Sequence, residues 1–176
     1  GTHKNWWECD TGIAYLVGRR AGDSPKWRTN RMLMVYDLGN PYSPRLIRDF
    51  GLPGQEPTAT GPVPPGLHDP VRLGNRVYLA YGTSSDGIVQ IVDRTRLLNG
   101  NPNARDPFAP TPENLLYPEV GRLVMQPNWG AHTAFPLLGV EIPDWTKNLR
   151  GRVRDFLVVP SESTANECQE YRHGIF

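Results

Sequence analysis

The sequence predicts an all-β protein of short antiparallel strands, and three observations carry that expectation. Eighteen glycines and eighteen prolines in 176 residues interrupt the chain too often for long helices and suit many strands joined by turns. Short runs rich in β-branched and aromatic residues recur, each bounded by turn residues. These runs also follow one another in the same order more than once, so the chain has a structural period. With 38% hydrophobic residues, the length suits one globular unit with a real core.

The strands are taken in order. "GIAYLVG" (12–18) is followed by "RMLMVYD" (31–37) and "SPRLIRDFGL" (43–52). "NRVYLAYG" (75–82) is followed by "GIVQIVD" (87–93) and "GRLVMQP" (121–127). In both series the second strand ends in Asp. A third series opens with "RDFLVVPSE" (154–162), and its next strand starts at "HGIF" (173–176). The turns differ. "TSSDG" is tight, with Asp86-Gly87 supplying the positive φ of a short hairpin. Residues 53–66 and 99–114 are longer, polar, proline-rich excursions. A short helix is expected only at "TPENLL" (111–116).

A period of roughly 40 to 65 residues, each giving a four-stranded antiparallel meander, is the signature of β-propeller blades. About three blades are expected, over 1–52, 67–127 and an incomplete 131–176. Three blades do not close a ring, since propellers have about four to eight. The chain also starts without Met and stops within an apolar run. It therefore reads as part of a partial propeller whose remaining blades come from absent chain or another chain. A β-sandwich would explain the alternation but not a recurring histidine. "HDPVRLGN" (68–75) and "HTAFPLLG" (132–139) would be innermost strands, each opened by a histidine, and His3 lies 65 residues before His68.

The run "HDPVRLGNRVYLAYGTSSDGIVQIVDRTRLL", echoed by "RMLMVYDLGNPYSPRLIRDF", resembles the LVIVD-repeat family of β-propellers. The shared pattern is a His-Asp opening, a G-N-x-x-Y turn and strand, and an apolar strand ending in V-D. Gly74-Asn75, Tyr78, "IVQIVD" and "YDLGNPYSP" carry the match. The third unit departs from it: "VEIPDWTKNLRGR" (140–152) is inserted and no G-N-x-x-Y is present. The resemblance implies a propeller and a periplasmic or extracellular protein.

His3, His68 and His132 are the sharpest candidate site. Equivalent blade positions converge on a propeller axis, and imidazole is a common ligand for transition metals such as Fe, Cu or Zn. The competing reading is that each histidine caps its inner strand by hydrogen bonding to loop backbone. "WWECD" and "NECQE" set Glu8 beside Cys9 and Glu167 beside Cys168, with Asp10 and Glu170 near. Adjacent acids raise a thiol's pKa, so small buried or bridging cysteines are expected rather than a reactive thiol. The two are expected not to bond each other, because the blade topology puts them at opposite rims. Trp6, Trp7, Trp129 and Trp145 are expected to pack between blades. "TSSDG" lacks the further acids of a calcium loop.

The charge balance, 19 basic against 18 acidic residues, gives no electrostatic footprint for nucleic acid. No apolar stretch reaches the length of a membrane span. P-loop, HExxH, GxSxG and dinucleotide-binding motifs are absent. Two functions follow: a scaffold that binds a protein or surface ligand through its loop faces, or a metal-dependent, oxidoreductase-like enzyme with a histidine-lined site at the channel mouth.

Overall fold

The structure, a computed structural model, describes residues 2–22, 25–84, 86–127, 129–143, 151–162 and 173–175. Its strands form three antiparallel sheets. The first contains β1 (Asn5–Glu8), β2 (Ile13–Gly18), β3 (Met32–Asp37) and β4 (Arg45–Phe50), in that order. The second contains β5 (Leu67–Leu73), β6 (Arg76–Tyr81), β7 (Ile88–Asp93) and β8 (Glu119–Val124), also in chain order. The third places β9 (Phe135–Glu141) beside β10 (Val153–Pro160) and β10 beside β11 (His173–Ile175). The all-β, four-stranded antiparallel expectation is met. Among the described residues the sheets do not close into a barrel.

The two four-stranded sheets share their register. Ile13 opens β2 opposite Asp37, and Arg76 opens β6 opposite Asp93. A register shift then falls between Val35 and Tyr36 in one sheet and between Ile91 and Val92 in the other. In each case these are the fourth and fifth residues of the third strand. The terminal Asp has a local task in both. Asp37 accepts from the Gly39 amide at 2.8 Å and pairs with Arg45. Asp93 caps a helix, α1 (Arg94–Asn99), by accepting from the Arg96 amide at 3.0 Å. Its other oxygen takes Asn75 Nδ2 and the Arg76 guanidinium. The Gly-Asn turn is thereby tied to the strand two positions over in the sheet, with Gly74 at φ +58°.

Packing explains why the central strands read as unbroken apolar runs. In β6, Val77, Leu79 and Tyr81 join a core with Tyr15, Leu33 and Phe50 of the first sheet. Tyr78 and Ala80, on its other face, join a core with Leu157 and Val159 of β10. A strand covered on both faces has no need of polar alternation. The second sheet therefore lies between the other two. Trp6 packs against both cores and Trp129 against the second, as expected of inter-sheet aromatics. Trp7 is instead exposed, and Trp145 lies outside the described residues.

The excursion over 53–66 is not loose. Gln55 is fully buried; its Oε1 accepts from the Leu52 amide at 2.9 Å and its Nε2 donates to the Pro65 carbonyl at 2.7 Å. Arg28 adds bonds to the Gly54 and Gly61 carbonyls. The stitched loop delivers Leu67, whose amide bonds Arg31 O, and so fixes where β5 begins. The expected helix is present as α2 (Pro112–Leu116), capped by Thr111, and α1 is an addition to it. At the tight turn, Asp86 does take a positive φ of 51°. Gly87 does not, and is required for another reason: a Cβ there would lie 2.5 Å from Ala131 N.

Candidate functional site

His3, His68 and His132 come together. His68 Nε2 lies 2.7 Å from His3 Nε2, and the two rings are edge to face with centroids 4.5 Å apart. On the other side the His68 and His132 centroids are 4.0 Å apart. Backbone pairing supplies the reason. The His3 amide donates to Val17 O in β2, and the His132 amide donates to Pro160 O in β10. His68 is the residue skipped where the β5–β6 register shifts between Leu67 and Asp69. Each histidine thus enters just before, or at the start of, the first strand of its sheet.

The hydrogen bonds fix the tautomers. His68 Nδ1 lies 2.8 Å from the His132 carbonyl; a carbonyl only accepts, so Nδ1 carries the proton. Burial holds His68 well below the usual range, to about 4, so near neutrality it is uncharged and its Nε2 presents a lone pair. In the 2.7 Å contact His3 Nε2 must then be the donor. For His132, Nδ1 lies 3.3 Å from Thr133 Oγ1, whose hydroxyl donates to Asp69 Oδ2 at 2.7 Å. The one hydroxyl proton is committed to the carboxylate, so His132 Nδ1 is the donor and its Nε2 is left with a lone pair. An imidazole donating Nδ1–H to a carbonyl or a carboxylate-linked group is the arrangement that orients metal-ligating histidines.

A carboxylate joins this cluster. Glu162 Oε2 lies 3.5 Å from His132 Nε2, and one ligand atom each from His68, His132 and Glu162 lies within 4.8 Å of the others. His3 stands outside that compact group, against His68. His68 is buried, the His132 side chain is a quarter exposed and the Glu162 side chain about half exposed, so the cluster opens to solvent on the Glu162 side.

A second polar cluster escaped the sequence reading of "WWECD". Glu8 turns inward while Cys9 is an exposed free thiol, contrary to the expectation of a buried or bridging cysteine. A turn residue following β1 faces solvent, and the strand's last side chain faces the neighbouring sheet. Arg94 grips Glu8 through two bonds of 2.8 and 2.6 Å. Tyr15 donates at 2.7 Å, Thr11 donates to the other oxygen, and Arg72 Nε stands at 3.5 Å. Burial alone would raise the Glu8 pKa, but these donors outweigh it and hold it down to about 2. The cluster joins the first sheet to the second. The Glu8 carboxylate is engaged on both oxygens by these donors, so the cluster reads as a clamp between the sheets. Cys168, Glu167 and Glu170 lie outside the described residues, as does the expectation about a Cys9–Cys168 pair.

Arg48 is a buried cation, lying over Phe50 and Phe108 and 3.4 Å from the Leu97 and Asn114 carbonyls. Burial pulls its pKa down to about 10. Among the described residues no helix is long and apolar enough to cross a membrane. No family model, no curated protein and no solved structure matches this chain.

Proposed function

We propose that the chain contributes blades to a β-propeller whose histidine rim, His3, His68 and His132, holds a transition-metal ion such as Fe, Cu or Zn, and that the protein is a metal-dependent enzyme of the oxidoreductase kind. The observation that carries this reading is the 2.7 Å approach of two Nε2 atoms beside a third imidazole, with the Nδ1 atoms of His68 and His132 engaged elsewhere. Metal–nitrogen bonds of about 2.0–2.1 Å in a tetrahedral site put two nitrogens about 3.3 Å apart. A small outward shift of exposed His3, with its ring proton moved from Nε2 to Nδ1, is enough to admit an ion. The shared register of the two four-stranded sheets and the resemblance to LVIVD-repeat propellers support the blade arrangement. That resemblance also supports export, which cell fractionation tests.

Thermal unfolding of the intact chain with added Zn²⁺ tests the centre. At free metal 100-fold above Kd the folded state gains about 2.7 kcal/mol, which raises Tm by roughly 5–10 °C for a chain of this size. His68→Ala removes that rise. A wild-type Tm indifferent to Zn²⁺, Fe²⁺ and Cu²⁺ refutes the proposal.

A second reading, the scaffold, draws on a different surface. Val120 and Val124 of β8 and Phe135, Leu137 and Leu138 of β9 are all at least 42% exposed, and Val120 and Leu138 line one groove with Phe156. Exposed apolar surface of this kind marks association sites. On this reading the occupant is a protein or surface ligand, or a further blade.

A further inference from the structure

We infer that Glu162 is the charged ligand of the proposed centre, which then presents the imidazoles of His68 and His132 and one carboxylate oxygen to a divalent ion, with His3 set against His68 and with Asp69 and Thr133 positioning His132. The inference rests on the metal reading above and adds to it a residue that the histidine spacing did not indicate.

Distance is the first argument. Donors about 2.0–2.1 Å from a tetrahedral ion lie about 3.3 Å apart. His132 Nε2 and Glu162 Oε2 are already at 3.5 Å, and the wider group with His68 falls within 4.8 Å. Charge is the second. Among the described residues no Lys or Arg forms a salt bridge with Glu162, whose near neighbour is the His132 imidazole at 3.5 Å. A carboxylate facing imidazoles neutralises part of the charge of a divalent cation.

Backbone anchoring is the third argument. The Glu162 amide donates to Thr83 O at 2.7 Å and the His132 amide to Pro160 O at 2.9 Å. Between them, buried Ser161 accepts from the Gly130 amide at 3.1 Å. The close approach of Gly130 to the Thr83 backbone, where a Cβ has no room, draws the same three segments together. Glu162 and His132 are therefore held by fixed main chain, and only their side chains need adjust. A donor set of nitrogen and carboxylate oxygen without thiolate favours Zn²⁺ or Fe²⁺ over Cu⁺. Exposure on the Glu162 side leaves water access to the ion, as an open catalytic position requires.

Co²⁺ binding to the full chain tests this, because its visible bands report the number and kind of donors. Glu162→Gln should weaken Co²⁺ by more than the roughly 10- to 100-fold that loss of an outer partner costs, and should shift the bands. Glu162→His should restore affinity with bands moved by exchange of oxygen for nitrogen, which a purely structural ion pair would not produce. Asp69→Asn should weaken binding by about 10- to 100-fold and leave the bands in place. Circular dichroism establishes that each variant is folded. If Glu162→Gln keeps wild-type affinity and spectrum, or Glu162→His binds no more tightly than Glu162→Gln, Glu162 is not a ligand, while the histidine centre stands. If wild type binds no Co²⁺, both readings fall.

Discussion

Replacing Glu8 by Gln should cost the protein about as much stability as its carboxylate gains by being charged in the fold. The side chain is 1% exposed and its pKa is held at about 2 against an ordinary 4.5. That depression corresponds to about 3 kcal/mol of preferential stabilisation of the charged form. The sign follows from the direction. A group whose folded pKa is lowered binds protons more readily when unfolded, so its contribution is complete above about pH 4.5 and fades as pH falls towards 2. Gln keeps the shape but leaves the Arg94 guanidinium, 17% exposed, without its counter-charge, a loss in the same range. Urea unfolding from pH 7 to pH 2 measures this. Wild type and Glu8→Gln should differ by about 3 kcal/mol at pH 7, and the difference should shrink steadily below pH 4.5 and nearly vanish near pH 2. A gap below about 0.5 kcal/mol at pH 7, the size of an ordinary surface substitution, would refute the clamp. So would a gap independent of pH.

Gly87→Ala should destabilise by about 2 kcal/mol, because its Cβ would meet the backbone of Gly130 and Ala131 at 2.5–2.6 Å; denaturant unfolding within 0.5 kcal/mol of wild type would contradict that close approach. Arg48→Met should stay within about 1 kcal/mol of wild type, since a buried cation held by long bonds recovers little of its desolvation cost. Arg48→Ala, which leaves a cavity, should cost about 3 kcal/mol, and equal losses in the two variants would show that the charge matters. Asp93→Ala should lose about 1–2 kcal/mol through the helix cap and the Asn75 and Arg76 bonds. Proteolytic sensitivity should rise at 94–99, and an unchanged cleavage pattern would count against the cap.

The strands were legible where composition and position coincide. "IVQIVD" and "RMLMVYD" read as strands because their apolar runs end in an Asp that turns or caps the chain, and the register confirms both termini. The convergence of His3, His68 and His132 was visible as spacing, because each stands just before, or at the start of, the first strand of a sheet. Glu162 was not visible in this way: it reaches the cluster from the end of β10 through backbone bonds to a loop of another sheet. Glu8 was hidden for a related reason. A strand-end carboxylate beside a cysteine looks like a surface turn until Arg94, 86 residues later, is folded against it. The helix α1 was too short to show a period, and its only signal was the Asp that caps it. The 53–66 loop read as an excursion because a buried glutamine bonding main chain leaves no hydrophobic pattern.

The central claim is that the histidine rim holds a metal ion, and elemental analysis of the intact protein, purified without chelators, tests it most directly. The account predicts close to one equivalent of a transition metal per rim in wild type and its loss in His68→Ala at unchanged circular dichroism. Wild-type protein free of transition metal that also fails to take up Zn²⁺, Fe²⁺ or Cu²⁺ on dialysis would contradict it.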